Sequence, residues 1–319
     1  MKNRVCIIIV VKDNLAPFEQ CLEGLRQFLT PSDQAFIMDN DSKDRERILG
    51  LKEEYSNFQW HLNPINLGFS EGNHLGVLWA QQQKYKYILL LNPDTVIFQE
   101  SIPELIKASA ELNDEWILGP LLVRSAQEKD PTIDSAGLYL DRFYRALDRY
   151  QGIRLSQTSI TEELLPAKGI CGAGMLIPAK LFPLREKAAH HIFLEDFFAY
   201  FEDAEFSLYW RKKGGQFAIV PKSRVTHLRK GGSQLGAINF KQWKKNPMII
   251  RKIIMNRYHT LVLHESGQDF LYRFPAFFCY EVARFAYLSL RRPYLVPLTL
   301  EGWMLLFQRY ILQKRPPFS

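Results

Sequence analysis

Apolar and polar positions fall into blocks along the chain, and the lengths of the blocks separate strands from helices. "VCIIIVV" at residues 5–11 is an unbroken apolar run, as a strand buried on both faces requires. The segment from Pro17 to Phe28 then sets Phe18, Leu22, Leu25 and Phe28 at helical spacing. "AFIMDND" predicts a second strand running into an acidic turn, residues 43–55 a charged helix, and "FQWHLN" a third strand. "NLGFSEGNHLGVLWAQQQ" opens with Asn and Gly and turns helical, and "YKYILLLNPD" returns to strand. Residues 101–120 read as a helix followed by the strand "WILGPLLV". Strands that alternate with helices and are apolar throughout predict an α/β fold: a mainly parallel, twisted sheet flanked by helices.

Residues 125–165 are polar and irregular, without a usable period. "GICGAGMLIPAKLF" carries two small-residue pairs ahead of an apolar strand. "FLEDFFAYFEDAEFSLYWRKKGG" is helical after about Glu202, with Phe206, Tyr209 and Trp210 on one face and Gly214-Gly215 as its stop. "QFAIVPKSRVTHLRKGGS" predicts a strand or two leading into a glycine loop. From Phe240 the texture becomes aromatic, basic and helical, which divides the chain into residues 1–238 and a C-terminal helical extension, 239–319. There, "FLYRFPAFFCYEVARFAYLSL" is mostly apolar but broken by Arg273, Glu281 and Arg284, which a spanning helix tolerates poorly. A segment lying on a membrane surface, or packing on the first domain, fits better.

Charge sharpens that division. Residues 1–239 hold 28 Lys and Arg against 30 Asp and Glu, a net of −2; residues 240–319 hold 13 against 4, a net of +9. The basic excess points the last quarter toward an acidic partner, membrane lipid or nucleic acid. Its aromatic residues recur at helical spacing with the apolar side chains that packing needs, which favours lipid and argues against nucleic acid. Cys6, Cys21, Cys171 and Cys279 lie far apart, with no metal-ligating spacing, and read as reduced thiols. The N-terminal apolar run lacks the length and cleavage site of a secretory signal, so the expected location is cytoplasmic.

In parallel sheets ligands bind beyond the carboxyl ends of the strands, and Asp39, Asn66 and Asp94 each fall just past one. Four clusters carry candidate chemistry. In "MDNDSKD", a solvated turn and helix cap accounts for Asp41, Ser42 and Asp44, whereas Asp39 sits closer to the strand. "NPD" reads equally as a turn or as a carboxylate awaiting a divalent ion, since hard cations take oxygen ligands and leave room for phosphates. "FEDAEF" places three carboxylates at a helix start, where dipole complementarity is worth about 0.3–1 kcal/mol each. Its aromatic flanks (Phe198, Tyr200, Phe201, Phe206) would also raise a carboxyl pKa, as a general base needs. In "THLRKGGS", His227 alone reads as a hydrogen-bonded core histidine; Arg229, Lys230, Gly231, Gly232 and Ser233 beside it suit a diphosphate.

The order "NLGFSEGNHLG", "LLLNPDTV", "GAGMLI", "FFAYFEDAEFSLYWRKKG", "VTHLRKGGS" closely resembles the inverting family 2 glycosyltransferases of GT-A fold. The nearest subgroup is the rhamnosyltransferase-like members of bacterial polysaccharide assembly, and the resemblance spans roughly residues 4–235. It implies that Asp39 contacts the donor base, and that "NPD" stands in the place of the family's DxD motif, with Asp94 and His227 binding Mg²⁺ or Mn²⁺. It implies that Asp203 is the general base, supported by Glu202, and that Gly231, Gly232 and Ser233 cover the diphosphate. Asn14, Asn66, Gly68, Asn73, Asn92 and Gly174 complete the implied nucleotide-sugar site. Two places depart from the family: Lys12-Asp13-Asn14 replaces the usual Thr-Tyr-Asn, and "AAHHIFLED" replaces Gly-Gly-Phe-Asp before the catalytic helix.

The expected activity is transfer of a hexose, rhamnose first among them, from a dTDP- or UDP-sugar to a glycan or polyprenyl-linked acceptor. It would take place at the inner face of the cell membrane, with the chain peripheral there and an oligomer compatible. Two rivals remain. A sugar nucleotidyltransferase would show a glycine-rich basic loop after the first strand, and "VVKDNLAPFEQ" has none. A non-catalytic homologue binding lipid or protein would tolerate loss of Asp94 or Asp203, yet both are present.

Overall fold

The computed structural model describes residues 4–161, 163–185, 191–228, 247–265 and 267–312. Among these residues the strands are β1 (Val5–Val11), β2 (Gln34–Asn40), β3 (Gln59–Asn63), β4 (Tyr87–Leu91), β5 (Thr95–Val96), β6 (Ile117–Val123), β7 (Ile133–Ser135), β8 (Leu138–Leu140), β9 (Ala146–Asp148), β10 (Leu165–Ala167), β11 (Gly174–Pro178) and β12 (Phe217–His227). The α-helices are α1 (Leu15–Phe28), α2 (Arg45–Glu54), α3 (Gly68–Gln82), α4 (Ser101–Glu111), α5 (Glu202–Lys212), α6 (Pro247–His264), α7 (Gly267–Arg291) and α8 (Val296–Tyr310).

The main sheet runs β10-β12-β6-β11-β4-β1-β2-β3, with β5 on β12 and β7 on β6. β4, β1, β2 and β3 are mutually parallel, as the apolar runs predict. β11 enters antiparallel between β4 and β6, so the other half of the sheet is mixed. The α/β architecture, with helices on both faces and further helices at the C-terminus, is the expected one.

β1 shows why its run is apolar at every position. Val5, Ile7, Ile9 and Val11 enter a core with Phe18 and Leu22 of α1, Ile48 of α2 and Leu105 of α4. Cys6, Ile8 and Val10 enter the opposite core with Val77 of α3 and Phe206 of α5. Strand period two splits one run between two cores. α3 sits unusually close to β1: a Cβ on Gly72 would lie 2.8 Å from Val10, and one on Gly76 2.5 Å from Ile8.

The irregular region 125–165 contains the short strands β7, β8 and β9: β7 pairs with β6, β8 and β9 pair with each other, and β10, which follows, pairs with β12. Strands of three residues are too short to show a period of two, which explains why no period announced them.

The C-terminal helices are anchored on the sheet-bearing part of the chain through α6. Asn256 donates to the carbonyls of Phe197 (2.8 Å), Ala199 (3.2 Å) and Tyr200 (2.7 Å), and Arg257 reaches the carbonyls of Phe143 and Tyr144. His264 Nε2 lies 2.7 Å from Glu205, a buried carboxylate also paired with Arg185. Of the charges that interrupt the apolar segment 270–290, Glu281 turns inward, pairing with Arg257 at 2.7 Å and accepting from Tyr258 and Trp303, and Arg284 lies against it, whereas Arg273 stays exposed. Apolar positions of α7 also face outward, with Leu271 70%, Tyr272 88% and Leu290 84% exposed. Among the described residues, no helix is long and apolar enough to cross a membrane.

Candidate active site

The carboxyl ends of β1 and β2 are knitted into one surface. Asp13 and Asn14, after β1, and Asp41, after β2, all take positive φ, at 56°, 46° and 65°. Local hydrogen bonds hold these turns: the Asp13 amide donates to Ser42 Oγ, and the Lys43 amide returns a bond to Asp13 Oδ1. Asp39 is fully buried, accepting from the Ser42 amide at 3.2 Å and from the exposed Arg45 guanidinium at 2.7 Å. Its charge is therefore already paired, through a partner that sequence spacing did not single out.

The next turn follows β3. Asn40 accepts from the Leu67 amide and donates to the Gly68 carbonyl, while Asn66 accepts from the Gly68 amide. Gly68 has φ +85°, and a Cβ there would lie 2.5 Å from the Phe198 ring. The first amides of α3, on Phe69 and Ser70, donate to the Phe198 carbonyl. Asn73, buried one turn on, donates back to the Phe69 carbonyl at 2.8 Å. Asn66, Gly68 and Asn73 thus shape the turn and fasten it to the loop before α5.

"NPD" ends β4 and turns the chain into β5. The Asn92 carbonyl accepts from the amide and hydroxyl of Thr95, closing the turn, while Asn92 Oδ1 is buried without a hydrogen-bond partner. β5 then pairs with the end of β12, Thr95 opposite His227, and this register brings Asp94 to the histidine. His227 Nε2 lies 3.3 Å from Asp94 Oδ1, and Nδ1 lies 2.8 Å from Oδ2 of Asp134 on β7. Burial disfavours charge on this imidazole, but the Asp134 and Asp94 carboxylates outweigh it and lift the pKa to about 9. Asp134 is fully buried and absent from the sequence reading; a carboxylate inside "TIDSAG" carries no periodic signal.

A carboxylate beside a single imidazole, with the remaining positions left to water and phosphate oxygens, is a set that Mn²⁺ accepts and Mg²⁺ tolerates. A carboxylate on the far ring nitrogen is the arrangement that orients ligating histidines. Asp94 and His227 therefore fit a divalent ion, with Asp134 as orienter. Gly231, Gly232 and Ser233 lie outside the described residues.

α5 supplies the second pair of carboxylates. The loop before it is wound through Phe198, Tyr200 and Phe201 at φ +60°, +71° and +72°. Such a backbone costs of order 1–3 kcal/mol per residue unless its surroundings hold it; the three bonds from Asn256 and the two from α3 do so. Asp203 is half-buried and accepts from the Gly172 amide at 3.0 Å and the Ala204 amide at 2.8 Å. Burial raises its pKa, the Gly172 amide opposes this, and Asp148 raises it further, to about 6. Glu202 is buried, its Oε2 has no hydrogen-bond partner, and burial together with Asp203 pushes its pKa well above the ordinary range.

The two halves of the site share one field. The Tyr200 hydroxyl is pushed up by burial and then by the charges of Glu202 and Asp94. Gly172, not Gly174, meets Asp203; Gly174 is buried beside β4, where a Cβ would lie 2.8 Å from Pro120.

Residues 6–160 match the family model described as Glycosyl transferase family 2. No curated protein matches the sequence. Solved structures match at low identity. S. aureus TarS 1–349 in complex with UDP-GlcNAc is 12% identical at a TM-score of 0.56, over 96% of this chain and 81% of that one. GalNAc-T7 with UDP, GalNAc and Mn²⁺ is 12% identical at 0.54, over 82% of this chain but only half of that one. The mannosyltransferase PcManGT from Pyrobaculum calidifontis, in complex with GDP-Man and Mn²⁺, is 13% identical at 0.50, over 95% and 74%. At such identities the likeness is one of fold. Over residues 6–160 the chain is thus similar to glycosyl transferase family 2, and its α/β sheet, whose carboxyl edge gathers the residues described above, shares its fold with these solved structures.

Proposed function

We propose that the protein is an inverting, divalent-metal-dependent glycosyltransferase that uses a nucleoside-diphosphate sugar. The observation that carries this reading is the Asp94–His227 pair at the carboxyl edge of the sheet, with Asp94 and the Glu202 that adjoins Asp203 both acting on the Tyr200 hydroxyl. Nucleotide-sugar ligands and Mn²⁺ in the similar solved structures support the donor class and the metal.

Asp39 and Asn14 would face the nucleoside and Asn92 the sugar, as the sequence resemblance implies. Asp94 and His227 would hold Mg²⁺ or Mn²⁺, which supplies positive charge to the departing diphosphate when bound. Asp203 takes the acceptor hydroxyl's proton. With a pKa raised to about 6 it is ionised at neutral pH yet more basic than a free aspartate. Its two backbone N–H donors fix the carboxylate's direction. Glu202, kept protonated by burial, leaves the negative charge on its neighbour. Attack by the activated hydroxyl from the side opposite the leaving group inverts the anomeric centre.

dTDP-rhamnose is the proposed donor, followed by UDP-sugars, on the strength of the sequence resemblance. The proposed acceptor is a glycan or polyprenyl-linked saccharide, reached from the inner face of the cell membrane. Helix α7 supports a peripheral position there: Leu271, Phe274, Phe278 and Val282 recur at helical spacing and remain exposed.

Thermal-shift screening of dTDP-, UDP- and GDP-sugars with Mn²⁺ tests the donor class, and Asp203→Asn tests the base. The variant is expected to bind the stabilising nucleotide sugar unchanged while transfer falls by about 10²–10⁴. Stabilisation by no nucleotide sugar, or transfer at the wild-type rate by the variant, overturns the reading.

A further inference from the structure

A second group of ligating side chains lies away from Asp94 and His227. Glu71 and His74 stand at i and i+3 on α3, one above the other on the same face. His191, from the segment that departs from the family pattern, stacks its ring on His74 with centroids 3.5 Å apart and planes 15° from parallel. One donor atom from each of the three lies within 4.8 Å of the other two.

We infer that Glu71, His74 and His191 form a site for a transition-metal ion of the zinc class, which clamps the loop before the catalytic helix to α3. Two imidazole nitrogens and one carboxylate oxygen are a zinc-type donor set and a poor one for Mg²⁺, which favours oxygen and its own water shell. Zinc–ligand distances of about 2.0–2.2 Å leave two ligands no more than about 4.4 Å apart. Binding thus draws the three side chains slightly inward.

The local geometry offers a cation a place. Glu71 Oε2 is buried without a hydrogen-bond partner, and its nearest cation candidate, His191 Nδ1, is 4.0 Å away. Glu195 adds negative charge beside Glu71 and His191. A bound dication is compatible with an ionised Glu71 and two neutral imidazoles together.

The position gives the ion a role. His191 precedes Ile192 and Phe193, both buried in the core beside α3 and α5, with Phe193 against Phe69 and Phe206. Seven residues on, the Phe198 carbonyl takes the first amides of α3. The clamp and these amides attach both ends of the 191–198 loop to one helix, just ahead of Glu202 and Asp203. Metal binding by these three residues stands apart from the proposed transfer reaction, so the two readings fail separately.

The test uses the untagged full-length chain, stripped with chelator and titrated with ZnCl₂ against a chromophoric competitor, and with CoCl₂ followed by visible absorption. Asp94→Asn is expected to retain the zinc equivalent, the tetrahedral cobalt spectrum and the rise in Tm on adding zinc. His74→Ala and His191→Ala, each checked for folding by circular dichroism, are expected to lose all three; His74→Gln serves in the same way if the alanine variant does not fold. Absence of zinc uptake and of a tetrahedral cobalt spectrum in the wild-type chain overturns the proposal. So does uptake that Asp94→Asn abolishes and the histidine variants keep.

Discussion

Asp134 places Oδ2 2.8 Å from Nδ1 of His227, across the ring from the nitrogen that faces Asp94 at 3.3 Å. The carboxylate fixes which imidazole nitrogen points at the candidate metal position. Asp134→Asn is therefore expected to weaken Mn²⁺ binding by about 10–100-fold, the usual cost of losing such a partner. The Mn²⁺ dependence of the transfer rate checks this, and an unchanged half-saturating concentration would remove Asp134 from the site.

The acid limb of activity should follow Asp203. Its pKa is raised to about 6, and a general base works only when ionised. The rate should climb about tenfold per pH unit below that value and level off above it. A pH–rate profile under single-turnover conditions reads this directly.

Glu202 makes the opposite contribution to stability. Its folded pKa lies well above the unfolded value near 4.5, so the folded chain holds a proton that the unfolded chain releases. Stability from this group is complete below that value and declines as pH rises toward the folded pKa. Glu202→Gln, which resembles the protonated form, should flatten the decline when denaturation midpoints are compared across pH.

Asn256 on α6 holds three carbonyls of a loop whose backbone is strained at Phe198, Tyr200 and Phe201. Asn256→Ala leaves those carbonyls without their donor, a loss of about 1–3 kcal/mol. The expected kinetic signature is a lower kcat with little change in donor affinity, because the loop leads into Glu202 and Asp203 of α5 and holds neither Asp39 nor Asp94. Steady-state kinetics with donor as the varied substrate separate the two.

The exposed apolar face of α7 and α8 should bind anionic bilayers. Leu290 is 84% exposed and Met304 60%. Leu290→Asp and Met304→Asp are expected to reduce co-sedimentation with phosphatidylserine vesicles, and added salt to weaken it, each surface Lys or Arg contributing about 1 kcal/mol. Failure of the wild-type chain to co-sediment at low salt would argue against a peripheral location.

The sequence by itself determined the α/β alternation, the parallel half of the sheet and the approximate extent of α5, because continuous apolar runs and helical spacing are local properties. It also supplied the positions of Asp94, Asp203 and His227, each next to a legible element boundary. Tertiary structure alone decided that Asp134 stands behind His227, that Gly172 meets Asp203, and that α6 braces the loop before α5. These contacts join residues 31 to 93 positions apart, through three-residue strands and positive-φ turns that leave no periodic trace. In α7 the pattern was visible but its sense was not. Of the charges that interrupt the apolar helix, Glu281 and Arg284 pack inward, where Glu281 finds Arg257, while Arg273 and apolar residues such as Leu271 and Leu290 face out.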